Sequence, residues 1–118
     1  MLVTSRETKR WVIPKGNVDY KLSPHATAAQ EAEEEAGVRG KISPKPIGRF
    51  LYQKRMAGGR TVTARVVVFP LAVSEELSDY KEKAERKRRW FSVADAAAAV
   101  DEPDLGELIR SFKAKRGS

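Results

Sequence analysis

Gly16-Asn17-Val18-Asp19-Tyr20-Lys21-Leu22-Ser23-Pro24-His25-Ala26-Thr27-Ala28-Ala29-Gln30-Glu31-Ala32-Glu33-Glu34-Glu35-Ala36-Gly37-Val38 is the stretch on which the fold of this 118-residue chain turns. Its middle is a helix with both ends written in. Ser23 is an N-cap whose hydroxyl can accept a backbone N–H, and Pro24 falls in the first turn, where a missing N–H costs nothing. Residues 25–36 are dense in Ala, Gln and Glu, which favour helix. Gly37 supplies the left-handed position that ends it. Ahead of the helix, Lys15-Gly16-Asn17 opens a loop that runs to Leu22.

A helix advances about 100° per residue, which places Glu34 near −60° and Glu35 near +40° from Glu31. Three carboxylates therefore share one stripe. Ala28, Ala29, Ala32 and Ala36 take the adjoining face, where small side chains let a helix lie close to a sheet. Glu33 points away from both sets, into solvent. Residues three and four apart have Cβ atoms about 5–6 Å from one another. Two carboxylates so placed repel by roughly 3 kcal/mol at an effective dielectric of ~20. The stripe costs stability unless protons or a cation neutralise it. Mg²⁺ takes oxygen ligands, keeps several waters and is commonly shared between carboxylates and substrate phosphates. Taken alone, the pattern reads either as such a site or as an exposed acidic helix face.

Outward from this stretch, Leu2-Val3-Thr4 and Trp11-Val12-Ile13 are predicted strands, the second stopped by Pro14. Pro46–Lys54 and Arg60–Val73 read as two further strands joined across Met56-Ala57-Gly58-Gly59. Within the latter, Val66-Val67-Val68-Phe69 is a continuous apolar run, expected to be buried on both faces. Lys81–Arg89 is a charge-rich connector that leads into an extended Arg89-Trp90-Phe91. Ser92 or Asp95 caps a short helix through Val100. A terminal helix from Asp104 or Leu105 to Lys115 carries Leu105, Leu108, Ile109 and Phe112 on one face. Residues 113–118 are expected to be a flexible basic tail. Trp11 and Trp90 are read as core, and Tyr52 as a stacking candidate. The fold class is α/β or α+β, a single domain over residues 1–118 with a mixed sheet.

Composition narrows the chemistry further. The chain has no cysteine, which excludes disulfides, thiolate metal sites and cysteine nucleophiles. One histidine, His25, excludes a His-rich zinc site and argues against a Ser-His-Asp triad. Any metal is then a hard cation held by oxygen. No apolar run approaches the ~20 residues of a membrane span, and the N-terminus has no secretory h-region. A cytoplasmic protein with no membrane association is expected. Twenty-three Lys and Arg against 16 Asp and Glu give a net charge of +7, which concentrates anions near the surface.

Gly16, Glu31, Glu34, Glu35, Gly37 and Val38 fall on the spacing of the Nudix box, G-x5-E-x7-R-E-U-x-E-E-x-G-U, with U aliphatic. Six of its nine specified positions match over 23 residues. Arg10-Trp11-Val12-Ile13-Pro14-Lys15-Gly16 also resembles the approach to the box in the diphosphoinositol-polyphosphate and dinucleoside-polyphosphate hydrolase branch. Glu85-Arg86-Lys87-Arg88-Arg89-Trp90-Phe91-Ser92 is similar to that branch's final strand. The resemblance implies a Nudix α/β/α sandwich and hydrolysis of a phosphoanhydride in a polyphosphorylated small molecule, with Mg²⁺ or Mn²⁺ as cofactor. By position Glu31, Glu34 and Glu35 would be metal ligands and catalytic groups. Gly16 would let the backbone approach the metal, and Arg10, Lys15, Arg55 and Arg65 would hold phosphates. An extra carboxylate outside the box would be Glu82 or Glu85.

The departures from the box matter as much. Its first Glu is Leu22, which cannot ligate and would pin the loop to the core. Its Arg, which orients a catalytic carboxylate in the family, is Gln30, which carries no charge. Its first aliphatic position is Ala32. The chain begins close to the box, so the fold's usual first strand is expected to be missing, with either an internal start or an open edge that a second copy pairs. Two rivals to the hydrolase remain, the first of them resting on Gln30 and the short N-terminus. One is a Nudix-fold nucleotide- or RNA-binding protein with weak or no catalysis. The other is a metal-free nucleic-acid-binding domain using the basic run Lys81–Arg89.

Overall fold

The β-branched and aromatic residues near the N-terminus set the first sheet. In the computed structural model, which describes residues 1–16 and 21–112, β1 (Leu2–Thr4) lies between β2 (Trp11–Val12) and β7 (Arg88–Arg89). Val3 pairs with Val12 on one side and with Arg88 on the other. Residues 17–20, most of the loop before the helix, and the basic tail at 113–118 lie outside the described residues.

Helix α1 (Pro24–Ala36) has the ends its sequence demands. The Ala26 N–H donates to Ser23 Oγ at 3.3 Å, and Gly37 closes the helix at φ 64°. That dihedral is the left-handed region, where a Cβ would be strained. Here it would also strike the Tyr80 ring at 2.3 Å. The small-residue face packs as expected: Ala32 and Ala36 join Val3, Val12 and Val38 in one core cluster.

After Gly37 the chain enters β3 (Val38–Ile42), then β4 (Gly48–Arg55), a short 3₁₀ turn at Ala57–Gly59, β5 (Thr61–Val68) and β6 (Leu71–Glu76). β4 and β5 form a hairpin in register from Gly48↔Val68 to Arg55↔Thr61. The single strand expected over Arg60–Val73 is instead two. Pro70 has no N–H to give the ladder, so β5 stops at Val68 and β6 pairs with β3 rather than β4. Val66–Phe69 is not buried on both faces either. Val67 is 39% exposed while Val66 and Val68 turn inward, the alternation of a sheet with one wet face. Every strand pair among the described residues is antiparallel.

Two C-terminal helices close the second core. Ser92 caps α2 (Val93–Ala99) through the Asp95 N–H at 3.1 Å, and α3 (Pro103–Ser111) ends four residues short of the expected Lys115. Leu105, Phe50, Leu2 and Val100 form its centre, flanked by Ile109, Tyr52 and Phe91. Trp11 sits edge-on to Phe91 at 5.0 Å. Trp90 is not core: it is 51% exposed, with its indole N–H on Glu76 at 3.2 Å. No helix of the described residues is long and apolar enough to cross a membrane.

Leu105 is 1% exposed at the meeting of α3, β1 and β4. Leu105→Ala is expected to cost about 2–5 kcal/mol, as for other fully buried leucines, read as a lowered urea midpoint with unchanged slope.

Candidate active site

The acidic stripe of α1 faces three ways. Glu35 points inward and is 3% exposed, packed beside β1 and the segment leading to Gly16. Its Oε1 accepts the Lys15 backbone N–H at 3.3 Å, and its carboxyl adjoins that of Glu31. Glu31 in turn lies against Gly16. A Cβ placed on Gly16 would stand 2.3 Å from the Glu31 carboxyl carbon, so only glycine leaves that carboxylate where it is. The structure thus brings Glu31, Glu35, Lys15 and Gly16 together.

Glu34 turns toward Lys81, whose Nζ is 3.8 Å from Oε1. Its backbone carbonyl accepts the Glu82 N–H at 2.9 Å, which docks the connector after β6 onto the helix. Among the described residues no three acidic or histidine side chains close on a single point. Glu33, expected in solvent, is 42% exposed and paired with Arg39 at 2.6 Å. Arg39 holds its carboxyl below the usual range.

The connector supplies what the helix lacks. Arg86 has a side chain only 10% exposed. Its Nε donates to Glu82 at 2.8 Å and its Nη1 to the Thr4 carbonyl at 3.1 Å. Its Nη2 lies 3.9 Å from Glu35 Oε1. Of the two acids considered outside the box, Glu82 is thus one side chain removed from the Glu31–Glu35 pair. Glu85 is 51% exposed and faces Arg6. Sequence reasoning had no signal for Arg86, one cation in a run of six. Nor is that run a free basic surface. Lys81, Lys83, Arg86 and Arg88 are all engaged within the fold, the last on the Ala36 and Gly37 carbonyls.

The expected phosphate-binding residues separate into two groups. Lys15 Nζ stands 3.9 Å above the Tyr52 ring, and the Arg10 guanidinium 5.8 Å from it. Arg10 is also paired with Glu102 at 2.8 Å and Asp101 at 3.6 Å. Arg55 and Arg65 are exposed and alternate with the inward Tyr52, Ala64 and Val66, which puts them on the outer face of the hairpin. Tyr52 is thus a cation platform here. Leu22 is 39% exposed and does not pin the loop, and Gln30 is exposed.

Two adjoining carboxyls, one of them buried, cannot both ionise cheaply. Burial first, and then the adjoining Glu31 carboxyl, push Glu35 up to about 8, against the opposing pull of Arg86 and the Lys15 N–H. A divalent cation would relieve this strain, and an all-oxygen donor set suits Mg²⁺ or Mn²⁺ rather than a softer metal.

The NUDIX domain family matches residues 1–112. Diphosphoinositol polyphosphate phosphohydrolase 2 of Rattus norvegicus is 37% identical over 117 residues, 96% of this chain and 61% of that protein. Diphosphoinositol polyphosphate phosphohydrolase 3-alpha of Mus musculus is 36% identical, over 96% of this chain and 67% of its own. The chain thus spans about three-fifths of the first of these relatives, at 61%. Among solved structures, C. elegans Ap4A hydrolase superposes with a TM-score of 0.55 at 20% identity, covering 92% of this chain and 79% of that one. At that identity the likeness is one of fold.

A carboxyl whose folded pKa lies above its ordinary 4.5 binds a proton that the unfolded chain releases. Glu35 therefore contributes most stability below pH ~4.5, and that contribution is lost as pH rises toward 8. Denaturant titrations of the metal-free protein are expected to show this loss, on the order of a few kcal/mol. It is expected to be smaller in Glu35→Gln and in wild type with Mg²⁺.

Proposed function

The chain belongs to the NUDIX domain family, and from that premise we propose that it is a divalent-metal-dependent pyrophosphohydrolase. The observation that carries the reading is the pairing of buried Glu35 with half-buried Glu31, which lies against Gly16, with the Lys15 backbone N–H on Glu35. Glu31 and Glu35 would hold Mg²⁺ or Mn²⁺, with Glu34 as the third ligand offered by the same helix. When bound, the ion neutralises phosphoanhydride oxygens and lowers the pKa of an attacking water. Gly16 keeps the approach to Glu31 clear. Burial of Glu35 excludes water from one side of the pair.

The substrate class proposed is a polyphosphorylated small molecule, with diphosphoinositol polyphosphates ahead of dinucleoside polyphosphates. Its relatives at 36–37% identity carry the first name. The +7 net charge favours a substrate with many phosphates. Lys15 and Arg10 cover the Tyr52 ring, which is therefore not a free surface for a base. A binding protein with weak turnover is the second reading. It is favoured by the turn of Glu34 toward Lys81 and by the uncharged Gln30.

Release of phosphate or nucleotide is to be measured from a diphosphoinositol pentakisphosphate, diadenosine tetraphosphate and ATP, with Mg²⁺ or Mn²⁺. Turnover is expected with the first two, abolished by EDTA and lowered about 100-fold or more in Glu35→Gln, as for loss of a metal ligand or its support. Gly16→Ala is expected to displace the Glu31 carboxylate and lower kcat about tenfold or more, with a melting temperature close to wild type. Polyphosphate binding without turnover would establish the second reading.

A further inference from the structure

Glu35 needs a fixed partner, and the helix does not provide one. Gln30 stands where the Nudix box has its arginine, but it is exposed. Five residues before Glu35, it also lies about 140° from it around the helix. A side chain there faces Glu34. The cation beside Glu35 comes from elsewhere in the chain.

We propose that Arg86, on the connector between β6 and β7, is the positioning residue for Glu35. This rests on the reading of Glu35 as a metal ligand of a hydrolase. The guanidinium is planar and rigid, so fixing two of its nitrogens aims the third. Here Nε is fixed by Glu82 at 2.8 Å and Nη1 by the Thr4 carbonyl at 3.1 Å. Nη2 is thereby held 3.9 Å from Glu35 Oε1 without Glu35 having to place it. The charge is set before the carboxylate is. Two of its five N–H groups are engaged, and its side chain is 10% exposed, so its place is set from within the fold. A lysine at 86 would keep one charge but not the fork that spans Glu82, Thr4 and Glu35.

Positioning can be told from mere proximity by its sign. A cation that simply sits beside a metal site repels the ion, and its removal tightens metal binding. A residue that holds a ligand in place does the opposite. The experiment compares wild type, Arg86→Gln and Arg86→Lys in three readouts: Mn²⁺ affinity by electron paramagnetic resonance, melting temperature, and kcat and KM on diadenosine tetraphosphate. Arg86→Gln is expected to weaken Mn²⁺ binding and lower kcat, each about 10-fold or more, with KM within about twofold. Arg86→Lys is expected to recover only part of either loss. Mn²⁺ binding unchanged or tightened, or a raised KM with kcat retained, would overturn the proposal. If wild type turns over no substrate, the hydrolase reading fails and the Mn²⁺ titration alone decides the role of Arg86. If Arg86→Gln does not fold, Arg86→Lys decides: wild-type Mn²⁺ affinity in that variant overturns the proposal.

Discussion

A carboxylate that is 3% exposed is the constraint around which the rest of this chain is arranged. Burying an unpaired charge is among the costliest things a fold can do, so such a group is protonated, paired or bound to a cation. Glu35 has a partial version of each. It adjoins Glu31, is reached by Arg86 and accepts the Lys15 N–H. The three contacts come from α1, from the connector after β6 and from the segment after β2. Fixing Glu35 therefore ties together chain 20 residues before it and 51 residues after it.

That spread explains what was legible in the sequence. Local signals read well: Ser23 and Gly37 cap α1 as expected, and Ser92 caps α2, because a cap is decided within four residues. The wheel placed Ala32 and Ala36 in the core for the same reason. β3 was harder. Its sequence, Val-Arg-Gly-Lys-Ile, has an exposed middle and no clean alternation, and it exists because β6 pairs with it across a bulge. The break at Pro70 was readable in principle, but the apolar run on its N-terminal side masked it.

The site divides along the same line. Glu31, Glu35 and Gly16 were legible because their spacing is local or matches the box. The cations were not, because each has its partner far along the chain. Arg10 meets Asp101 and Glu102, Arg88 reaches the end of α1, and Arg86 reaches Thr4. A net charge of +7 shows that the protein attracts anions, but not which cations remain available once the fold is made.

The acids and bases of the connector are best understood as a single structure. Glu82 binds Arg86, its own N–H holds the Glu34 carbonyl, and Lys81 lies against the Glu34 carboxylate. Each alone would be a surface pair worth less than about 1 kcal/mol. Here Arg86 and Glu82 are largely buried and anchored to the helix and to β1, and Lys81 joins them from the exposed side. A helix that presents three like charges cannot set their orientation by itself, since its own repulsion drives them apart. An opposing strip of charge, fixed independently to β1 through Thr4, can. With the box arginine replaced by Gln30, that strip is where control of the carboxylates has to reside.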